Sequence, residues 1–116
     1  MNIFAEWDKL PVIHLETMDR KIFHGDNVML VRNEIHPKAV VPMHNHVHEQ
    51  LLYVESGECD VTAGDEVRHV KAGGLVWFKS NEPHAVTNTL DETLVAIDIF
   101  SPNKRRFHVA GCPPAF

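Results

Sequence analysis

Helical periodicity is missing from this chain: no window of ten residues carries apolar side chains at a 3.6-residue spacing, so little helix is expected. Long hydrophobic runs are missing too. Nothing approaches the length of a membrane span, and the opening MNIFAEWDKL places Glu6 and Asp8 where a secretory signal would have its apolar stretch. A soluble cytoplasmic protein without a membrane partner is the expectation. Cysteine is scarce: Cys59 and Cys112 stand far apart, in neither a CxxC pair nor another usual ligand spacing, which favours free thiols in a reducing compartment over a disulfide. Basic clustering is also absent. The formal net charge is -5 with acids and bases scattered, so no electropositive stripe exists to neutralise phosphates, and nucleic acid is not an expected partner. A small acidic ligand would need local positive charge from a metal or from a few placed bases. Repeats, low-complexity tracts and a nucleotide-binding glycine motif are lacking as well, and 116 residues suffice for one hydrophobic core but not two.

What recurs instead is a short run of Val, Ile, Leu and aromatic residues cut by Gly, Pro, Asn or Asp. Such runs cover Asn27 to Ile35, Gln50 to Glu55, Cys59 to Thr62, Glu66 to Val70, Leu75 to Lys79, Ala85 to Thr89 and Thr93 to Phe100. Short strands separated by turn signals predict an all-β sandwich or barrel. Gly64-Asp65 reads as a hairpin tip and Lys71 to Gly74 as a tight turn. Leu10 to Phe23 is less regular and is expected to form edge strands over the barrel or over a second subunit. The tail Gly111 to Phe116, with its paired prolines, cannot lie inside a sheet and is expected to wrap a surface.

Three stretches carry unusual residues. In VPMHNHVHEQLLYVESG, His44, His46 and His48 alternate. Side chains two apart on a strand share a face at about 6.6 Å and converge on one ion where the strand bends. The next run, Leu51 to Val54, is apolar at every position and reads as a strand covered on both sides; if Gln50 points inward, Leu52 and Val54 join it and Leu51 and Tyr53 face the other layer. An inward amide needs a partner, and binding a metal through its oxygen would satisfy half of it. In the second stretch, His84 follows Pro83 at a strand entrance, either as a solvated rim residue or closing a site built elsewhere. In the third, Asp98 interrupts Leu94 to Phe100 and shares a face with Ala96 and Phe100. A buried carboxylate requires compensation, either an ion pair with an arginine such as Arg32 or a cavity-facing role as general acid or base.

From Asn27 to Pro102 the chain resembles the cupin superfamily. The positions of its first motif fall on Lys38, His44, His46, Gln50 and Gly57, those of its second on Gly73, Lys79, Asn81, His84 and Asn88. Lys38 and Asn81 replace the usual glycines, Lys79 the usual proline and Gln50 the usual glutamate, the last removing a negative charge from the metal shell. The resemblance implies an all-β cupin double-stranded β-helix (jelly-roll) barrel: one domain over 1–116, with a core barrel of about 27–102, N-terminal strands within 1–26, and a tail, 103–116, packed on the barrel or a dimer partner. It implies one divalent transition metal per chain (Mn, Fe, Ni, Co or Zn), held by His44, His46, Gln50 and His84, with positions left for water or substrate. His48 falls in the turn between ligands and is expected at the rim or behind them.

Within the superfamily, RKIFHGDNVMLVRNE, HNHVHEQLLYVESGE and IDIFSPNKRRF resemble the small single-domain cupins of the pectin-degradation (KdgF-like) group. That resemblance implies conversion of 4,5-unsaturated uronate monosaccharides to linear 4-deoxy-5-keto uronates. Asp98 would transfer protons and Phe100 would form an apolar wall. Arg32 or Arg105 would pair with the substrate carboxylate, Lys104 being the other basic residue after the Phe-Ser-Pro turn. A homodimer is expected, as among small cupins generally. The alternatives on the same fold are a metal-dependent dioxygenase of a small organic substrate, a non-enzymatic sugar- or metal-binding cupin, and a vestigial barrel that functions through dimer contacts.

Overall fold

The structure, a computed structural model, describes residues 3–102. Lys104, Arg105 and the tail containing Cys112 lie outside the described residues. One 3-10 turn, Trp7–Lys9, precedes ten strands: β1 (Ile13–His14), β2 (Met18–His24), β3 (Met29–Ile35), β4 (Val40–His44), β5 (Glu49–Ser56), β6 (Glu58–Ala63), β7 (Glu66–Lys71), β8 (Leu75–Phe78), β9 (His84–Asn88) and β10 (Leu94–Ser101). Each of the predicted runs forms a strand, from β3 and β5 through to β10, and the hairpin tip at Gly64 has φ of 60°.

The strands separate into a six-stranded sheet, in the order β1-β2-β3-β10-β5-β8, and a four-stranded sheet, β4-β9-β6-β7. The expected barrel is therefore corrected: the all-β double-stranded β-helix is present, but neither sheet closes. A closed barrel needs every strand paired on both sides. Here β1, β8, β4 and β7 are edges, and β1 and β8 span only two and four residues. The sheets are held face to face by side chains instead. Leu52, Val54, Phe78 and Leu94 from the larger sheet meet Cys59, Val61 and Val86 from the smaller, each large apolar side chain contributing roughly 1.5–3 kcal/mol on leaving water.

Strict alternation sets which residues reach that interior. On β3, Met29, Val31, Asn33 and Ile35 are buried; on β5, Gln50, Leu52 and Val54; on β10, Leu94, Ala96, Asp98 and Phe100. The parity expected for Gln50 and Asp98 holds. The expectation that β5 is covered on both faces does not, because Leu51 and Tyr53 are 47% and 38% exposed on the outer side. The less regular N-terminal segment supplies β2, which pairs with β3 from Met18↔Ile35 to His24↔Met29 and so belongs fully to the larger sheet.

Two connections explain turn residues singled out by sequence. Lys38 and Asn81, where glycine would be usual, both adopt left-handed backbone, with φ of 60° and 64°. Asn88, 1% exposed, ties several connections together. Its Nδ2 donates to the carbonyls of His36 and Glu92 at 3.0 and 2.8 Å and, less closely, to that of Ile35, while its Oδ1 accepts from the Leu90 N–H at 3.0 Å.

Candidate metal centre

His44, His46 and His84 converge between the sheets, with one nitrogen from each lying within 4.8 Å of the others. The approach of His44 depends on an irregularity in β4. Val41 pairs with Val86 and His44 with His84, so three steps along β4 match two along β9. This one-residue bulge lets Val41 and His44, of opposite parity in a regular strand, line the same cavity. Pro42, which could not donate within a central ladder, sits at the bulge on an edge strand. His46 lies in the loop between β4 and β5, and that loop is stitched to the one preceding β9. The Asn81 N–H donates to the His46 carbonyl at 2.7 Å and the Ser80 hydroxyl to the Val47 carbonyl at 2.6 Å.

Backbone carbonyls orient the three rings. Nδ1 donates to Pro42 O in His44 (2.9 Å), to His48 O in His46 (3.0 Å) and to Glu82 O in His84 (2.9 Å). A carbonyl only accepts, so each Nδ1 carries the proton and each Nε2 keeps the lone pair a metal requires. Phe78 stacks on His84 at 4.4 Å between centroids, and the Phe100 ring meets that of His46 at 5.7 Å. Of the two places expected for His48, it takes the one behind the ligands and not the rim: it is fully buried, 5.4 Å from the His46 ring, and its own carbonyl fixes that ring.

A row of polar side chains crosses the inner face of the larger sheet. Asn33 lies opposite Ala96 and Gln50 opposite Phe100, so both reach Asp98 diagonally from the flanking strands. Asn33 Nδ2 donates to Asp98 Oδ2 at 2.7 Å and Gln50 Nε2 to Asp98 Oδ1 at 2.8 Å. These bonds also fix the orientation of the Gln50 amide, since only its nitrogen can donate. Among the described residues its Oε1 is left buried without a hydrogen bond. An unsatisfied buried oxygen costs about 1–3 kcal/mol, which a cation would remove. A glutamate at position 50 would instead set a carboxylate against Asp98. The donor set, imidazole lone pairs and a neutral amide oxygen, suits a divalent transition metal.

The cavity containing this row has a volume of about 530 Å³ and is lined by Arg20, Asn33, His44, Gln50, His84, Asp98 and Phe100, with apolar side chains such as Leu52 and Val86 between them. The sequence-derived residues His44, Gln50, His84, Asp98 and Phe100 are thus brought together, and His46 joins the other two histidines. Arg32 is not among them. It alternates to the outer face of β3, within 3.4 Å of Glu34 and 3.3 Å of Glu55, and the expectation that it pairs with Asp98 or with a cavity ligand is corrected. Arg105 lies outside the described residues. Tyr53 and Trp77 are on the outer surface, where Trp77 Nε1 donates to Glu49 at 2.9 Å.

Sequence reasoning missed Asn33 and Arg20. Arg20 pairs with Asn33 across the β2–β3 ladder, and its Nε donates to Asn33 Oδ1 at 2.9 Å. Burial lowers the guanidinium pKa, and the nearby Asp98 charge opposes that shift. Both residues carried a legible signal. Asn33 interrupts an inward series of Met29, Val31 and Ile35, as Arg20 interrupts one of Met18 and Ile22. Each is the same kind of anomaly that singled out Asp98.

Comparison with known proteins agrees with this geometry. The model of the Cupin domain family matches residues 31–100. The pectin degradation protein KdgF of Dickeya dadantii (strain 3937) is 33% identical over 103 residues, covering 87% of this chain and 89% of that protein. Among solved structures, KdgF from Halomonas sp. superposes with a TM-score of 0.83 at 27% identity, covering 91% of this chain and 98% of the other. An RmlC-like cupin from Shewanella frigidimarina reaches a TM-score of 0.84 at 21% identity over 93% and 97% of the two chains, a likeness of fold.

Proposed function

The chain belongs to the cupin family, among its KdgF-like members, and on that footing we propose that it converts a 4,5-unsaturated uronate monosaccharide to the linear 4-deoxy-5-keto uronate in a metal-dependent reaction. The observation that carries this reading is the hydrogen bond from Gln50 to Asp98 at 2.8 Å, because it joins the oxygen-donor side of the histidine cluster to a carboxylate in the same cavity. His44, His46, His84 and Gln50 Oε1 would hold the ion. When bound, a divalent transition metal would draw electron density from the substrate oxygens it ligates and orient the ring.

The reaction is an isomerisation with no change of redox state. The C1 hydroxyl loses its proton as C1=O forms and the bond from C1 to the ring oxygen breaks. The released electron pair makes C5=O, and the former C4=C5 bond takes a proton at C4. Asp98 is suited to both transfers, accepting the hydroxyl proton and delivering one to carbon. Asn33 and Gln50 grip its two oxygens from opposite sides and limit its movement. Phe100, 4% exposed, forms an apolar wall beside Asp98 that keeps water from the reacting carbon.

The proposal includes a cytoplasmic location, supported by the buried free thiol of Cys59, and a homodimer, supported by the exposed outer face bearing Leu51, Tyr53, Leu75 and Trp77. The experiment that tests the function follows loss of the unsaturated uronate's ultraviolet absorbance against its spontaneous decay. It uses wild type, wild type stripped by chelator and reloaded, and Asp98→Asn, with metal content measured in parallel. Acceleration by the loaded wild type, abolished by stripping and by Asp98→Asn with metal content retained, is the expected result. No acceleration by the loaded wild type would reject the reaction, and equal acceleration by the variant would reject Asp98 as the proton carrier.

A further inference from the structure

Arg20 is unused in the chemistry above, yet it sets a half-buried cation on the cavity wall. It projects from β2 between Met18 and Ile22 and lines the cavity together with Asn33 and Asp98. Its surroundings there are mostly apolar, including Leu15, Met18 and Ile35. A guanidinium offers five N–H donors and does not lose its proton in proteins. Among the described residues, Arg20 has one strong hydrogen bond, from Nε to Asn33 Oδ1 at 2.9 Å, and a second contact from Nη2 to Met18 Sδ at 3.5 Å. Thioether sulfur is a weak acceptor, so most of the fork is left for something that enters the cavity.

The charge next to it is also unusual. Asn33 stands between Arg20 and Asp98, accepting from the one through Oδ1 and donating to the other through Nδ2 at 2.7 Å. An amide spacer of this kind allows opposite charges to share a cavity while each keeps hydrogen-bonding capacity for a ligand. Were Arg20 present only to neutralise Asp98, a direct bidentate pair would be the stronger arrangement. The opposite lining carries His44 and His84 on the smaller sheet, so the cation and two of the proposed metal's ligands stand on different sheets of one cavity. A ligand bridging the two sheets would meet an anion-binding fork at one end and the histidines at the other.

We propose that Arg20 is the residue that takes the carboxylate of the cavity's ligand, fixing which end of the sugar faces the histidines, and that Asn33 orients the guanidinium for this task. The inference rests on the reading that the ligand is a uronate. A planar fork matches a carboxylate in a way a lysine cannot.

The test separates binding from turnover. Galacturonate and its uncharged methyl ester are titrated calorimetrically into metal-loaded wild type, Arg20→Gln and Arg20→Lys. Wild type should bind the acid more tightly than the ester. Arg20→Gln should weaken binding of the acid by about 30-fold or more, the scale expected for truncating one partner of a partly buried charge pair. The ester should bind wild type and Arg20→Gln alike, and Arg20→Lys should recover part of the affinity for the acid. With unsaturated uronate as substrate, the loss should fall mainly on KM rather than kcat. Equal loss for acid and ester would reduce Arg20 to a structural role, and no preference for the acid by wild type would overturn the inference outright. If wild type prefers the acid through Arg20 yet does not accelerate ring opening, the reaction fails and the carboxylate site stands. If turnover is present and indifferent to Arg20→Gln, the reaction stands and the site fails.

Discussion

Replacing Asn33 by leucine keeps most of the side chain's volume while removing both of its hydrogen bonds, and the consequences for the two partners differ. Asn33 is 2% exposed and Asp98 8%, so the Asp98 oxygen now bonded at 2.7 Å has little access to replacement water. A hydrogen bond to a charged group contributes about 1.5–3 kcal/mol, and an apolar neighbour adds to the cost of keeping that carboxylate ionised. Arg20 is only half-buried and can turn toward solvent, so its lost bond should cost less, on the order of 1 kcal/mol. The sum is about 3 kcal/mol, which at a urea slope of about 2 kcal/mol per M lowers the unfolding midpoint by about 1.5 M. Because Asn33 is not placed among the metal's ligands, stoichiometric metal binding should survive. Equilibrium urea unfolding followed by tryptophan fluorescence measures the first expectation and elemental analysis the second. A stability loss below about 1 kcal/mol would refute the reasoning, because it would mean that the Asn33 bond does not compensate the buried charge.

Three further outcomes follow from the fold. Asn88→Ala strands the carbonyl of Glu92 and the Leu90 N–H, while that of His36 keeps the Ala39 N–H, and should lower stability by about 2–4 kcal/mol in the same urea assay. The Cys59 thiol, pushed up to about 11 by burial and secondarily by the Asp60 charge, should resist thiol reagents at pH 8 in a Cys112→Ser background until urea unfolds the chain. Since the unfolded thiol ionises first, its contribution to stability is fully present below about pH 9 and is lost as pH rises toward about 11, so urea midpoints should fall over that window. Lys38→Gly relieves a left-handed backbone at φ 60° and should raise Tm by about 2–5 °C, a net gain of about 0.5–1 kcal/mol after the glycine's greater freedom in the unfolded chain; a fall in Tm would show that the Lys38 bond to the Thr89 carbonyl matters more.

Where period-two alternation was unbroken, position in the sequence converted directly into position in the fold. Asp98 faces inward with Ala96 and Phe100, and Gln50 with Leu52 and Val54. The same parity, applied to β3, sends Arg32 outward with Leu30 and Glu34 and turns Asn33 inward. The arginine favoured by sequence was therefore already on the wrong face, and the residue that binds Asp98 was next to it. What parity does not show is where a strand ends its ladder. Closure depends on hydrogen bonds between β8 or β1 and the smaller sheet, and the brevity of those strands is a matter of tertiary fit, not of their own composition. His48 stayed open between the rim and a place behind the ligands for a related reason. A turn's sequence does not show whether it folds inward; this one does, setting His48 behind His46, because a loop's burial depends on what covers it.

The bulge in β4 gives that strand a residue to spare. His44 faces His84 because the bulge absorbs one of the three steps from Val41, not because of what Pro42 and Met43 are. Met43 is 55% exposed and β4 is an edge strand, so no neighbouring ladder depends on that side chain. A deep mutational scan should therefore find position 43 permissive to exchange and to deletion alike. Removing one residue there would restore a regular register in which Val41 and His44 stand two apart and so share a face, leaving the histidine opposite His84. A one-residue gap at this point in a homologous chain would therefore not by itself signal a lost centre.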